Sequence, residues 1–225
     1  MRILLLFFSF FIFSVSSYSQ DLQGWLIYFG NTKIKDSKFS VHYELQLRDY
    51  QIVGDHNQTL VRVGGQYQIK PYLQGTVGYG FIHTEAEGTP NAPFLENRIY
   101  QEALFSHAVG KSKWRHRLRL EERFIEHQDF RGRFRYSLFA DIPLTNYGFS
   151  KGGVYLALYD EVFLNLSDES TIKTFDRNRA YVGFGYKVSN NLGIQLGYMR
   201  QNVGKMAGTN HALLSFHHNI TFKYT

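Results

Sequence analysis

The chain has 225 residues, 44% of them hydrophobic, with a formal charge of +6 at pH 7 and no cysteine. Without cysteine it has neither a disulfide scaffold nor a lipobox for acylation. Its 25 cations against 19 acids form a basic balance, but the arginines are spread over many segments instead of one block or face, so nucleic acid is not an expected partner.

The N-terminus reads MRILLLFFSFFIFSVSSYSQ, with an early cation at Arg2, an apolar run from Ile3 to Phe13 and small residues at Ser17 and Ser19. This predicts a signal peptide over residues 1–19, removed on export through the inner membrane. The apolar run is shorter than the ~20 residues of a helical anchor. Loss of Arg2 leaves a charge of +5 on residues 20–225, which are expected to form a single domain.

Beyond the leader the period is two almost everywhere, and no helical stripe is visible. After GWLIYFGNTKI comes KFSVHYELQLRD, where Phe39, Val41, Tyr43, Leu45 and Leu47 alternate with Ser40, His42, Glu44, Gln46 and Arg48. LVRVGGQYQI and YLQGTVGYGFIH repeat the pattern. NRIYQEALF, RHRLRLEERF, RFRYSLFADI, GVYLALYDEVF, RAYVGFGYKV, NLGIQLGYMR and HALLSFHHNITFKY continue it, for eleven candidate strands in all. Most are about 10 to 14 residues long, against the usual 5 or 6 of soluble strands, and a tilted membrane-crossing strand needs about 9 to 11.

Links alternate in character. Polar turns lie at KIKDSK (33–38), IKPY (69–72), GKSK (110–113) and VSNN (188–191). Longer links fall between them at 85–97, 166–174 and 202–209, while PLTNYGFSKG (143–152) is long where a short turn is expected. Short turns at one end and long loops at the other describe an outer-membrane barrel, whose strand number is even. The expected architecture is therefore an all-β transmembrane antiparallel barrel of 10 or 12 strands, with GWLIYFGNTKI left over or a twelfth strand still to be found. Trp25, Tyr72, Trp114, Tyr147 and Tyr224 are expected in aromatic girdles at the two interfaces. A soluble barrel, with its apolar face inward, is disfavoured by strand length and by the charge and glycine content of the polar faces.

RLRLEERF (117–124), RFRYSLFADIPL (133–144), YDEVFLNL (159–166), FDRNRAYVGFGYKVSNNLGIQLGYMRQN (175–202) and NHALL (210–214), in this order, resemble the DUF2490 family. The family comprises exported proteins of Gram-negative bacteria, common among Bacteroidota. The resemblance implies an outer-membrane barrel and carries no activity. Such barrels commonly end on an aromatic residue, whereas here Tyr224 is followed by Thr225.

With the arginine parity turned inward, the expected lumen network comprises Arg62, Arg98, Glu102, Arg115, Arg117, Arg119, Glu121, Arg123, Arg133, Arg135, Asp141, Glu161, Asp176, Arg177 and Arg179, with Glu44 on the same faces. Like charges on adjacent strands cost energy unless acids, water or an anionic ligand intervene. The lumen is thus expected either to be filled by ion pairs, in a structural or accessory barrel, or to serve as a narrow passage for small anionic solutes. Asp160 breaks the apolar parity of its strand, which predicts a bulge or the end of the apolar band there.

No catalytic constellation is legible. His211 and Ser215 share a face but stand roughly 13 Å apart along a strand. His217 and His218 point to opposite faces, and no phosphate-binding loop, dinucleotide fingerprint or zinc spacing is present. No cofactor is expected. The rival readings are a lipid-modifying enzyme acting near the outer loops, and a barrel docking on an envelope protein partner. The expected surroundings are outer-membrane lipid.

Overall fold

The computed structural model describes residues 22–166, 174–204 and 206–222. The expected signal peptide and the terminal Tyr224 lie outside the described residues. Eleven strands follow one another: β1 (Leu22–Ile34), β2 (Phe39–Asp49), β3 (His56–Lys70), β4 (Leu73–Thr84), β5 (Phe94–Val109), β6 (Ser112–Ile125), β7 (Arg131–Pro143), β8 (Val154–Asn165), β9 (Phe175–Lys187), β10 (Leu192–Val203) and β11 (Thr209–Phe222).

These strands close into one barrel, so the expectation of 10 or 12 is corrected to eleven. GWLIYFGNTKI is a wall strand and no twelfth is needed. Directions alternate around a ring only when the strand number is even, so an eleven-strand ring must contain one parallel pair. That pair is β1 and β11, in unbroken register from Leu22 opposite Asn210 to Ile34 opposite Phe222. All other neighbours are antiparallel and consecutive in the chain. Closure removes the free edge that would otherwise invite pairing with another chain.

Links 35–38, 71–72, 110–111, 144–153 and 188–191 share one end of the barrel, and 50–55, 85–93 and 126–130 share the other, where β8 and β10 end and β9 and β11 begin. The long link PLTNYGFSKG thus lies among the short turns. Because β1 and β11 are parallel, β1 begins at the loop end and β11 finishes at the turn end.

Each strand keeps period two, and the pairing carries the same face inward all round the ring. Val61, Val63, Leu118, Leu120, Phe124, Val182, Phe184, Leu196 and Leu214 point outward and are between 37% and 64% exposed. Arg62, Arg98, Arg119, Glu121, Arg133, Arg135, Glu161 and Arg179 point inward, and none exceeds 8%. Alternation alone is symmetric between the two faces; ring closure decides which is enclosed.

One local expectation is narrowed and one is corrected. The alternation of β8 continues through YDEVF without a bulge: Asp160 stays on the outer face and accepts hydrogen bonds from Asn178 Nδ2 at 3.0 and 3.1 Å. The register shift comes later, between Phe163 and Leu164. Trp25 does not join an outer girdle. It shares parity with Ile27 and Phe29, and is buried with Ile27, Tyr155, Ala157, Tyr181, Met199 and Leu213 in an apolar cluster inside the barrel. Tyr72 and Tyr147 are exposed at the turn end, where Trp114 begins β6 on the outer face.

Large rings fit inside because small residues lie beneath them. A Cβ on Gly64 or Gly78 would meet the Tyr100 hydroxyl at 2.6 or 2.4 Å, and one on Gly183 or Gly197 would meet that of Tyr181 at 2.3 or 2.5 Å. Ring over glycine, on the same or a nearby strand, is a known device for filling a barrel without bending its wall.

Candidate functional site

The charged lumen is assembled mainly by β5 to β9, whose inward faces set several arginines directly opposite one another. Arg119 stands opposite Arg135, and Arg123 opposite Arg131. Such pairs would repel at strand spacing. Glu121, 2% exposed, accepts from Arg133 Nη2 and Arg135 Nη1 at 2.6 Å each, with Arg119 Nη1 at 3.7 Å and Arg98 Nη1 at 3.9 Å. Glu161 is a second hub: Arg117 Nη2, Arg135 Nη2 and Ser137 Oγ donate to its Oε1 at 2.7 Å, and Arg179 Nη1 lies 3.9 Å from its Oε2.

Around these hubs, Glu102 takes Arg119 at 2.6 Å and Arg117 at 3.8 Å, Asp176 takes Arg177 at 3.1 Å and Arg133 at 3.2 Å, and Asp141 takes Arg115 at 2.7 Å near the turn end. Glu44 receives Arg62 at 2.6 Å. All fifteen residues expected in the lumen thus face inward and make at least one such contact. One carboxylate serving several guanidiniums is the arrangement that repays burial, since an isolated buried charge is costly.

Sequence reasoning missed Glu96 as a member of the network and Arg48 as a lumen arginine. Glu96 holds Arg98 at 2.5 Å and Arg123 at 2.6 Å. It falls in the expected link at 85–97, yet it lies two residues before Arg98, and that shared parity is the signal in the sequence. Arg48 shares the polar face of β2 with Glu44 and Gln46, and its guanidinium carbon stands 3.8 Å from the Trp25 ring centroid. Arg131 opens β7 beside Arg123, and among the described residues it makes no ion pair; its Nε is buried without a hydrogen-bond partner.

A cavity of about 390 Å³ runs from mid-barrel, at Phe29, Phe139 and Tyr159, toward Gln128 and Arg131 at the loop end. On one flank the apolar cluster of Trp25, Tyr181 and Met199 occupies the interior, with Tyr159 and Tyr181 stacked at 4.7 Å and 11°. Phe163 supplies an apolar platform for Arg135 and Arg179, whose guanidinium carbons lie 4.4 and 4.8 Å from its centroid.

The histidines of β11 are placed by parity. His211 and Ser215 are both inward and do not touch: His211 Nε2 pairs with Thr209 Oγ1 at 2.8 Å. Ser215 Oγ instead meets His217 Nε2 at 3.0 Å, a contact the sequence reading overlooked. It is a pairing of residues two apart on one face, and the His217 ring stacks on Phe29 at 4.9 Å. His218 faces outward to the Tyr28 hydroxyl at 2.9 Å. Among the described residues, His56, His83 and Glu85 at the loop end bring one ligand atom each within 4.8 Å of one another. Both ring nitrogens of His56 are already engaged, by Asp49 at 3.1 Å and Thr59 at 3.0 Å, so these residues serve first as a hydrogen-bonded clasp.

A closed all-β ring, apolar outside and filled with arginine–carboxylate pairs, defines a barrel protein organised around its lumen. Within that class the chain belongs to the DUF2490 family, described as "Protein of unknown function (DUF2490)", whose model matches residues 22–212. It is similar to an uncharacterised protein of Methylorubrum extorquens, 28% identical over 196 residues that cover 84% of this chain and 81% of that one. No solved structure matches it.

Proposed function

We propose that this protein is an outer-membrane β-barrel, exported by the leader at residues 1–19, with a structural or accessory role and a lumen too filled for free flow. One observation carries the reading: the apolar face is outside and the charged face inside, the reverse of a water-soluble barrel. An outer surface carrying Leu118, Leu120, Phe124, Phe184 and Leu196 is a poor match for water and a good one for lipid. The interior supports filling over passage, because the ion pairs and the ring cluster occupy the space that eleven strands enclose. The lipid-modifying reading has less support, since the Ser215–His217 pair points into the lumen, with the barrel wall between it and any acyl chain.

Fractionation with gel analysis tests this. The protein is expected in the outer-membrane fraction and to migrate faster unboiled than boiled. A periplasmic, soluble protein with one mobility overturns it. In planar bilayers the purified barrel is expected to show no steady conductance; steady anion-selective current would replace the filled lumen with a pore.

A further inference from the structure

Ten arginines and four carboxylates line the loop-end cavity. With Arg119, Glu102 and Glu121, which bond to this lining from beside it, eleven arginines meet six carboxylates. The surplus is localised. Among the described residues Arg48 donates only to the amide oxygens of Gln46 and Gln58, the latter at 2.7 Å, and makes no ion pair. Among the described residues Arg131 makes none either, and the nearest carboxylate oxygen to Arg179 is 3.9 Å away while its Nε is spent on Gln201 at 2.8 Å. These three come from three separate strands, β2, β7 and β9. Arg48 and Arg179 both lie against the Trp25 ring, at 3.8 and 5.0 Å from its centroid.

We propose that this cavity is a binding site for a multiply charged phosphate group, either on a free solute or on a lipid headgroup, entering from the loop end. The proposal rests on the barrel reading above and deepens it: the lumen captures an anion at one end without conducting it. Several guanidiniums converging on a low-dielectric space carry a repulsion that a dianion relieves. A planar carboxylate offers two oxygens in one plane, whereas a phosphate offers oxygens in several directions, which suits guanidiniums held on separate strands. The volume of about 390 Å³ lies within the roughly 300–1,000 Å³ of small-molecule sites, and Trp25 and Phe163 give an attached organic part an apolar wall.

The test is calorimetric titration of the full barrel, folded in a zwitterionic detergent, with pyrophosphate at fixed ionic strength. A second arm uses the same micelles doped with phosphatidic acid. Saturable 1:1 binding of pyrophosphate is expected, with glucose silent and citrate weaker. Arg48→Gln combined with Arg179→Gln is expected to weaken it at least tenfold, and Arg115→Gln, which lies with Asp141 near the turns, to leave it unchanged. Binding confined to the phosphatidic acid arm, and lost in the double variant, supports the same site with a lipid source. Silence in both arms from a protein that is still heat-modifiable overturns the site while sparing the barrel. Loss of heat-modifiability in the unmodified protein counts against the barrel itself.

Discussion

Arg119 and Arg135 face each other across β6 and β7, and the carboxylate of Glu121 bridges them, 3.7 Å from the first and 2.6 Å from the second. A like-charged cross-strand pair is thereby held by an acid from the next inward position of β6. The interior is stable to the extent that such acids are present, because removing one partner of a buried pair leaves the other charge uncompensated.

Glu121→Gln keeps the shape and removes the charge that Arg133 and Arg135 bond to. The expected cost is about 3–5 kcal/mol, read as a lower urea midpoint for loss of the fast-migrating band. Arg115→Gln, whose side chain is 39% exposed, is expected to cost about 1 kcal/mol or less. Equal effects of the two would contradict the hub.

Gly64 and Gly65 are adjacent and point to opposite faces of β3. A Cβ at 64 would lie 2.6 Å from the Tyr100 hydroxyl and 2.9 Å from Thr76 Cγ2, and one at 65 would meet nothing within 4 Å. Gly64→Ala is expected to destabilise by about 1–3 kcal/mol by overpacking. Gly65→Ala is expected to change stability by no more than about 0.5 kcal/mol. Urea unfolding followed by tryptophan fluorescence reports both, since Trp25 is buried inside.

Leu120 stands on the outer face, 47% exposed. If that face meets lipid, Leu120→Arg costs about 2–4 kcal/mol near the bilayer midplane and slows folding into vesicles. On a water-facing wall the same change would be neutral, so an unaltered insertion yield refutes the lipid contact.

Closure by β1 and β11 places Leu26 beside Leu214 in parallel register. Neighbouring strands lie about 4.7–4.9 Å apart, within the Cα range of about 4.4–6.8 Å that a disulfide spans. The chain has no cysteine of its own, so Leu26→Cys with Leu214→Cys is expected to crosslink on oxidation. A faster unreduced band after boiling would show it. Failure to crosslink, in a barrel that still folds, would remove β1 from the wall.

Period-two alternation over long segments located all eleven strands and put fourteen of the fifteen network residues on the inward parity of their strands; Asp176, adjacent to Arg177, is the residue skipped where the register between β8 and β9 shifts. Glu96 was missed because a proline- and glycine-containing stretch, EAEGTPNAP, precedes it and made the start of β5 look like a loop. Trp25 was misplaced because an aromatic residue near a strand end fits a girdle as well as a core, and only parity within the closed ring separates the two.

The sequence by itself determined the element type, the number of strand segments and the two chemically opposite faces, because side-chain alternation is a local property of an extended backbone. Tertiary structure alone decided three things. Closure turned the charged face inward, an odd ring forced one parallel pair and so made GWLIYFGNTKI part of the wall, and cross-strand register chose which acid serves which arginine. Each depends on residues far apart in the chain, joined by backbone pairing that no single segment encodes.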